Sequence, residues 1–233
     1  MKHICEMNDK IILGLDGLSS KAPRLTARAI VKNHDGLYAV MYADKFKLHS
    51  LPGGGVEDGE DVLAALHREV YEETGCVCDK IQELGIVTEN RASLDYTQIN
   101  YYFVVTTTHT PGENHLTEAE QDSRTVVEWH TFDEMVRLIN EQEFDRVQGK
   151  YLKARDVVAL REYSKWVELY IPKLEDPQGG SGAEACGISY FPAHGAGTFC
   201  GAGLDGEAGR TVETAAVQRV SRCGSRFFYC PGP

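Results

Sequence analysis

The chain lacks any apolar run approaching the roughly 18 residues needed to span a bilayer. The stretch Ile11–Leu15 is too short, and follows too many charges, for the core of a signal peptide. A cytoplasmic protein without a membrane partner is therefore expected. The chain also lacks a basic excess: 24 Lys and Arg stand against 35 Asp and Glu, a net charge of −11. Affinity for nucleic acid comes mainly from cations that neutralise phosphates, so a nucleic-acid polymer is not an expected partner. Nor is there a ligand-like cysteine spacing. Of seven cysteines, Cys76 and Cys78 are one residue apart, and Cys186, Cys200, Cys223 and Cys230 contain no C-x2-C pair. An odd set of thiols is expected, without a disulfide framework or zinc site. Apolar residues are not lacking: 42% hydrophobic and 25% charged residues exclude bulk disorder.

Lysine disappears after position 173, and 12 of the 57 residues in 177–233 are glycine. In that segment Arg210, Arg219, Arg222 and Arg226 balance Glu184, Asp205, Glu207 and Glu213, so the whole negative charge lies on residues 1–176. The composition divides the chain into a folded domain over 1–176 and a Gly/Ala-rich tail over 177–233, flexible or non-native, without a core of its own. An anionic substrate on so acidic a domain needs local charge cancellation, and a bound cation is the first candidate.

Within 1–176, Leu25–Val31 has strand composition, Asp35-Gly36 signals a turn, and Leu37–Met41 is a second apolar run. Leu48–Pro52 is a short approach to a glycine cluster. Val62, Leu63, Leu66 and Val70 fall at helical spacing within Asp61–Thr74, and Gly75 is placed as the C-cap. Ile81–Val87, Ile99–Thr106 and Val126–Trp129 read as strands, and Phe132–Asn140 and Asp156–Leu169 as helices. Intermixed strands and helices predict an α/β fold with a mixed sheet.

The informative stretch runs from Gly53-Gly54-Gly55 through Glu60 to Arg68-Glu69-Val70-Tyr71-Glu72-Glu73-Thr74-Gly75-Cys76. On a helix, Glu69, Glu72 and Glu73 share one face. Three carboxylates there repel one another unless a cation sits among them, and Arg68 offsets only part of the charge. Oxygen ligands favour Mg²⁺, or Mn²⁺ as a substitute, and Mg²⁺ pairs naturally with substrate phosphates. The glycines let backbone carbonyls and amides approach a metal or a phosphate closely. A Glu-rich helix face is usually just solvated. However, Gly54, Glu60, Arg68, Glu69, Glu72, Glu73 and Gly75, at roughly 6% each, coincide by chance on the order of 10⁻⁹ per starting point.

These residues match the Nudix box, G-x5-E-x7-R-E-U-x-E-E-x-G-U with U a bulky apolar residue, and Cys76 is the one mild departure. The chain thus resembles the Nudix hydrolases, over about residues 22–170 when the flanking strands and the Leu116–Glu120 and Trp129 regions are included. The resemblance implies an α/β/α sandwich and Mg²⁺-dependent hydrolysis of a nucleoside diphosphate linked to another group X, by metal-activated water. By the same resemblance Glu69, Glu72 and Glu73 are metal carboxylates, the Gly53 carbonyl a further ligand, and Glu60 a contributor through water. Arg68 orients the glutamates, Glu69 is a candidate base as well as ligand, and homodimers are common in the family. A second base is expected from the loop before the last strand, where Glu118, Glu120 and Asp122 compete and Glu120 is preferred. Solvated acids after a Thr117 N-cap are the plainer alternative.

Arg28, in mid-strand, is a candidate for a substrate phosphate or an outward-facing residue, and Gly54 a candidate substrate contact. Tyr101, Tyr102 and Phe103 suit base stacking or core packing, with core favoured. His49, His67, His115 and His130 form no spaced ligand set. A nucleotide-binding sensor without turnover is the competing reading. It would be expected to have lost box glutamates and to carry a basic segment, and the sequence shows neither. A third reading makes 177–233 an interaction module. The nature of X is not legible: nucleoside triphosphates, ADP-ribose, nucleotide sugars and dinucleoside polyphosphates all stay open.

Overall fold

The computed structural model describes residues 1–107 and 112–167, so the expectations for 177–233, with Cys186, Cys200, Cys223 and Cys230, lie outside it. In chain order the elements are β1 (His3–Asn8), α1 (Asp9–Leu13), β2 (Arg24–Lys32), β3 (Tyr38–Ala43), β4 (Leu48–Ser50), β5 (Gly53–Gly55) and α2 (Val62–Thr74). There follow β6 (Lys80–Arg91), β7 (Tyr96–Thr106), α3 (Glu118–Asp122), β8 (Thr125–His130), α4 (Phe132–Glu141) and α5 (Val147–Ser164). The strands form one mixed sheet in the order β1-β6-β7-β2-β3-β4, with β5 paired to β2 and β8 to β3. The β1/β6 and β2/β7 pairs are parallel; the remaining pairs are antiparallel.

Strand alternation decides what each face carries. Ala27, Ala29 and Val31 of β2, with Phe103 and Val105 of β7, pack with Ala65, Leu66 and Val70 of α2. Ile30, Tyr102 and Val104 face the other way, onto Met135 and Ile139 of α4 and Tyr151, Val157 and Leu160 of α5. Helices on both faces of a mixed sheet make the expected α/β sandwich. Tyr102 and Phe103 are core residues, at 0% and 2% exposure.

Helix α2 starts where the sequence places it. Asp61 is the N-cap, its side chain accepting the Ala64 N–H, and Gly75 closes the helix at φ +68° with its N–H on the Tyr71 carbonyl. Thr131 caps α4 in the same way, through the Glu134 N–H.

Three expectations change. The last helix begins at Val147, nine residues before Asp156, and its described portion ends at Ser164. Gly149 hides this start in the sequence: a Cβ there would collide with the Phe144 ring, so packing selects the helix-breaking residue. Strand β1 and helix α1 were not anticipated, because β1 is held by parallel pairing with β6 some eighty residues away. Cys76 and Cys78 carry free thiols, whereas Cys5 is disulfide-bonded, so an all-thiol set does not hold. Among the described residues no helix is long and apolar enough to cross a membrane.

Candidate functional site

The glycine cluster is a strand. Gly53, Gly54 and Gly55 lie opposite Arg28, Ala27 and Thr26 of β2. Gly53 sits at φ +131°, and a Cβ on it would strike the Ala27 carbonyl oxygen. A Cβ on Gly54 would strike the Glu69 carboxylate. The glycines therefore let the α2 carboxylates come up against the β5 backbone.

Glu69 and Glu73 are buried and Glu72 half-buried. The Gly53 N–H donates to Glu73 Oε2 at 2.6 Å. Burial, then the neighbouring Glu69 and Glu120 charges, hold the Glu73 carboxyl well above the usual carboxylate range, against the Gly53 N–H and Arg28, which favour its charged form. Burial likewise raises Glu69, opposed by Arg68.

Arg68 spreads its guanidinium over the rest. Nε and Nη2 donate to Glu60 at 3.0 and 2.9 Å, and Nη1 donates to Glu69 at 2.8 Å and Glu72 at 3.2 Å. Nη2 also donates to the Gly55 carbonyl at 2.8 Å. All five N–H groups of a guanidinium are thus engaged. The hydrogen bond from Arg68 is the largest influence pulling the Glu60 carboxyl down.

Arg28 is buried at 9% exposure, so it is not the outward-facing residue of the plainer reading. Its Nη1 donates to the Gly53 carbonyl at 2.9 Å and its Nε points to Asn100 Oδ1 at 3.4 Å. Glu120 lies close enough to Glu69 and Glu73 to raise both. Its own carboxylate closes a capping box, accepting from Thr117 N and Oγ1, both at 2.7 Å. Asp122 is paired with Lys45 at 2.5 Å, away from this group, and Glu118 is exposed. Of the histidines, His130 Nε2 lies 3.0 Å and His49 Nε2 3.9 Å from Glu128 Oε2, an approach that spacing along the chain did not disclose.

Two residues at this site escaped the sequence reading. Arg24, exposed at the start of β2, lays its guanidinium where a Cβ on Gly55 would be. Asp156, fully buried on α5, accepts the Leu51 N–H at 3.0 Å and the Tyr102 hydroxyl at 2.7 Å. The Arg155-Asp156 doublet directly before the apolar Val157–Leu160 was the signal available for it.

The donor set suits a hard divalent cation: carboxylates on one helix face, a backbone carbonyl beside them, and buried negative charge that lacks a full counter-charge. Among the described residues no three Asp, Glu, His or Cys side chains already converge on one point. Glu69 and Glu72 would have to exchange Arg68 for the cation.

The family model described as the NUDIX domain matches residues 22–154. An RNA pyrophosphohydrolase of Shewanella pealeana is 38% identical over 81 residues, which are 34% of this chain and 44% of that protein. A protein of the same name from Shewanella frigidimarina is 44% identical over 59 residues, 24% of this chain and 33% of its own. The chain thus spans less than half the length of these curated relatives. A solved NUDIX hydrolase from Nitrosomonas europaea has a TM-score of 0.47 at 20% identity, covering 62% of this chain and 90% of its own. The NUDIX domain of Shewanella oneidensis NrtR, solved with ADP-ribose, has a TM-score of 0.45 at 17% identity, covering 63% and 90%.

Proposed function

Since this chain belongs to the NUDIX domain family, whose model spans more than half of it, we propose that it hydrolyses the diphosphate bond of a nucleoside diphosphate linked to another group X. The reading rests on one observation above all: Glu69 and Glu73 come up against the β5 backbone, and Arg68 ties Glu69 to Glu72 and Glu60. Glu69, Glu72, Glu73 and the Gly53 carbonyl would hold Mg²⁺ or Mn²⁺, with Glu60 acting through water. When bound, the cation would offset charge on the non-bridging phosphate oxygens and favour deprotonation of the attacking water.

The chain's own groups do the remainder. Arg68 keeps Glu60, Glu69 and Glu72 in one orientation, and its release of a carboxylate to the cation leaves it other acceptors, so the helix face keeps its order. The buried Glu73 needs no rotamer search, because the Gly53 N–H already holds it. Glu120 is the preferred acceptor for the water's proton. To take that proton its carboxylate must leave Thr117, and the residual capping by Thr117 Oγ1 on the Glu120 N–H keeps α3 formed. Glu69 is the second candidate for the same duty.

Relatives named for RNA favour a second reading of X: the 5′ end of an RNA, whose terminal phosphates present the same anhydride chemistry. The net charge of −11 favours a small nucleotide over a polymer with many phosphate contacts. A screen of the full-length chain with Mg²⁺ and Mn²⁺ separates these. The panel comprises nucleoside triphosphates, ADP-ribose, nucleotide sugars, dinucleoside polyphosphates and a 5′-triphosphorylated RNA, with Glu73→Gln as the control. Turnover of one class, abolished in the control, establishes the hydrolase and names X. Cation-dependent nucleotide binding with no turnover on any member would favour the sensor instead. We assign the activity to residues 1–176, so deletion of 177–233 should leave the turnover number within about twofold, a tolerance typical of changes outside a folded core. A large loss would make the tail part of the machinery.

A further inference from the structure

Leu51 and Pro52 link β4 to Gly53, the first residue of β5, whose N–H meets Glu73 and whose carbonyl meets Arg28. Two buried side chains from different layers hold this link at its two ends. Asp156 of α5 accepts the Leu51 N–H at 3.0 Å, and Arg28 of β2 donates to the Gly53 carbonyl at 2.9 Å. Both are locked in turn. Asp156 takes the Tyr102 hydroxyl at 2.7 Å and Arg155 Nε at 3.3 Å, and Arg28 Nε is directed to Asn100 Oδ1. Asn100 is itself fixed by donating to the Val87 carbonyl at 3.1 Å and to Glu89 Oε1 at 2.8 Å. Gly53 is also held from the α2 side, by its N–H on Glu73. No side chain on Gly53 can assist, because a Cβ there has no room.

We propose that Arg28 and Asp156 are positioning residues that clamp the Leu51–Gly53 backbone, so that the Gly53 carbonyl and Glu73 form one pre-set edge of the cation site. Arg28 acts through the peptide and not on substrate phosphate. This rests on the reading of Glu69, Glu72 and Glu73 as cation ligands. The physical reason is the cost of looseness: a backbone carbonyl has no rotamer of its own, so its aim is decided by whatever pins the peptide plane. A guanidinium donating to that oxygen leaves the second lone pair free for a cation.

The test measures Mn²⁺ binding to the full-length protein directly, by the loss of the free-ion electron paramagnetic resonance signal, beside steady-state kinetics. Arg28→Met and Asp156→Ala should each weaken Mn²⁺ binding by about 10–100-fold, the usual effect of losing a group that orients a ligand. The Mn²⁺ concentration for half-maximal turnover should rise in parallel, with KM for substrate at saturating Mn²⁺ little changed. Arg28→Lys keeps one donor and should recover part of the affinity, and Asp156→Asn keeps an acceptor for Leu51 and should recover most of it. In Asp156→Ala the Leu51 amide should also lose its protection from hydrogen exchange. If Arg28→Met does not fold, Arg28→Lys and the Asp156 pair carry the comparison. Folded variants that bind Mn²⁺ as the parent does would overturn the clamp, and a rise in KM alone would return Arg28 to the substrate. Failure of the parent protein itself to bind Mn²⁺ would remove the cation site and the clamp with it, an outcome distinct from the others.

Discussion

At the scale of single residues, function turns on what each carboxylate accepts. Glu69 and Glu73 are buried next to each other, one held by Arg68 and the other by the Gly53 N–H. Glutamine at either position keeps an oxygen acceptor for that partner while removing the charge. Glu69→Gln and Glu73→Gln should therefore each lower kcat by about 100-fold or more, with the circular dichroism spectrum unchanged and the melting temperature equal or higher. Turnover near the parent level with Mg²⁺ in either variant would refute their assignment to the cation. The sequence singled these residues out as a group, because their spacing already puts them on one helix face. It singled out Arg28 but not its partner, since strand alternation says which face a side chain takes but not that a backbone carbonyl waits for it.

Elements hold the site through their ends. Asp61 caps α2 through the Ala64 N–H, about two to three turns ahead of the glutamates. Asp61→Ala should cost about 1 kcal/mol, measured by urea denaturation, and should leave the affinity for Mn²⁺ nearly unchanged because the carboxylates lie further along the helix. Helix α1 offers a pH-dependent counterpart. Asp9 is buried, and burial by itself would raise its carboxyl. Hydrogen bonds from the Ser93 N–H and the Tyr151 hydroxyl, with Arg91 nearby, outweigh it and hold the folded value below the ordinary one. A depressed carboxyl contributes stability above the unfolded pKa of about 3.9 and loses it as the pH falls through the folded value. Asp9→Asn should thus destabilise the fold by about 1–3 kcal/mol at pH 7, and the difference from the parent should shrink towards pH 3. A difference independent of pH would mean that shape, not charge, is what Asp9 supplies.

For the molecule as a whole, the net charge of −11 and the buried glutamates oppose compaction, and a cation bound only by the folded state opposes unfolding. Addition of Mg²⁺ or Mn²⁺ to protein treated with EDTA should raise the melting temperature of the parent, by several degrees at about 100 times the dissociation constant. Glu73→Gln should show little of this rise. An equal rise in both proteins would place the stabilising ion somewhere other than beside β5. The same sandwich puts α2 on one face of the sheet and α5 on the other, which is how the link before Gly53 comes to be held from both sides.

What the sequence determined by itself was local. A 23-residue pattern from Gly54 to Cys76 carries the capped helix, the shared carboxylate face and the glycines that make room for it, because helical spacing and backbone sterics act between near neighbours. It likewise determined β2, β3, β7 and β8 through apolar composition and turns. The tertiary structure alone decided the rest. The parallel pairing of β1 with β6, the burial of Arg28 against Gly53, the reach of Asp156 to Leu51 and the approach of Glu120 to Glu73 all join residues far apart in the chain. Such contacts depend on which layers the fold brings together, and no period within a segment encodes them.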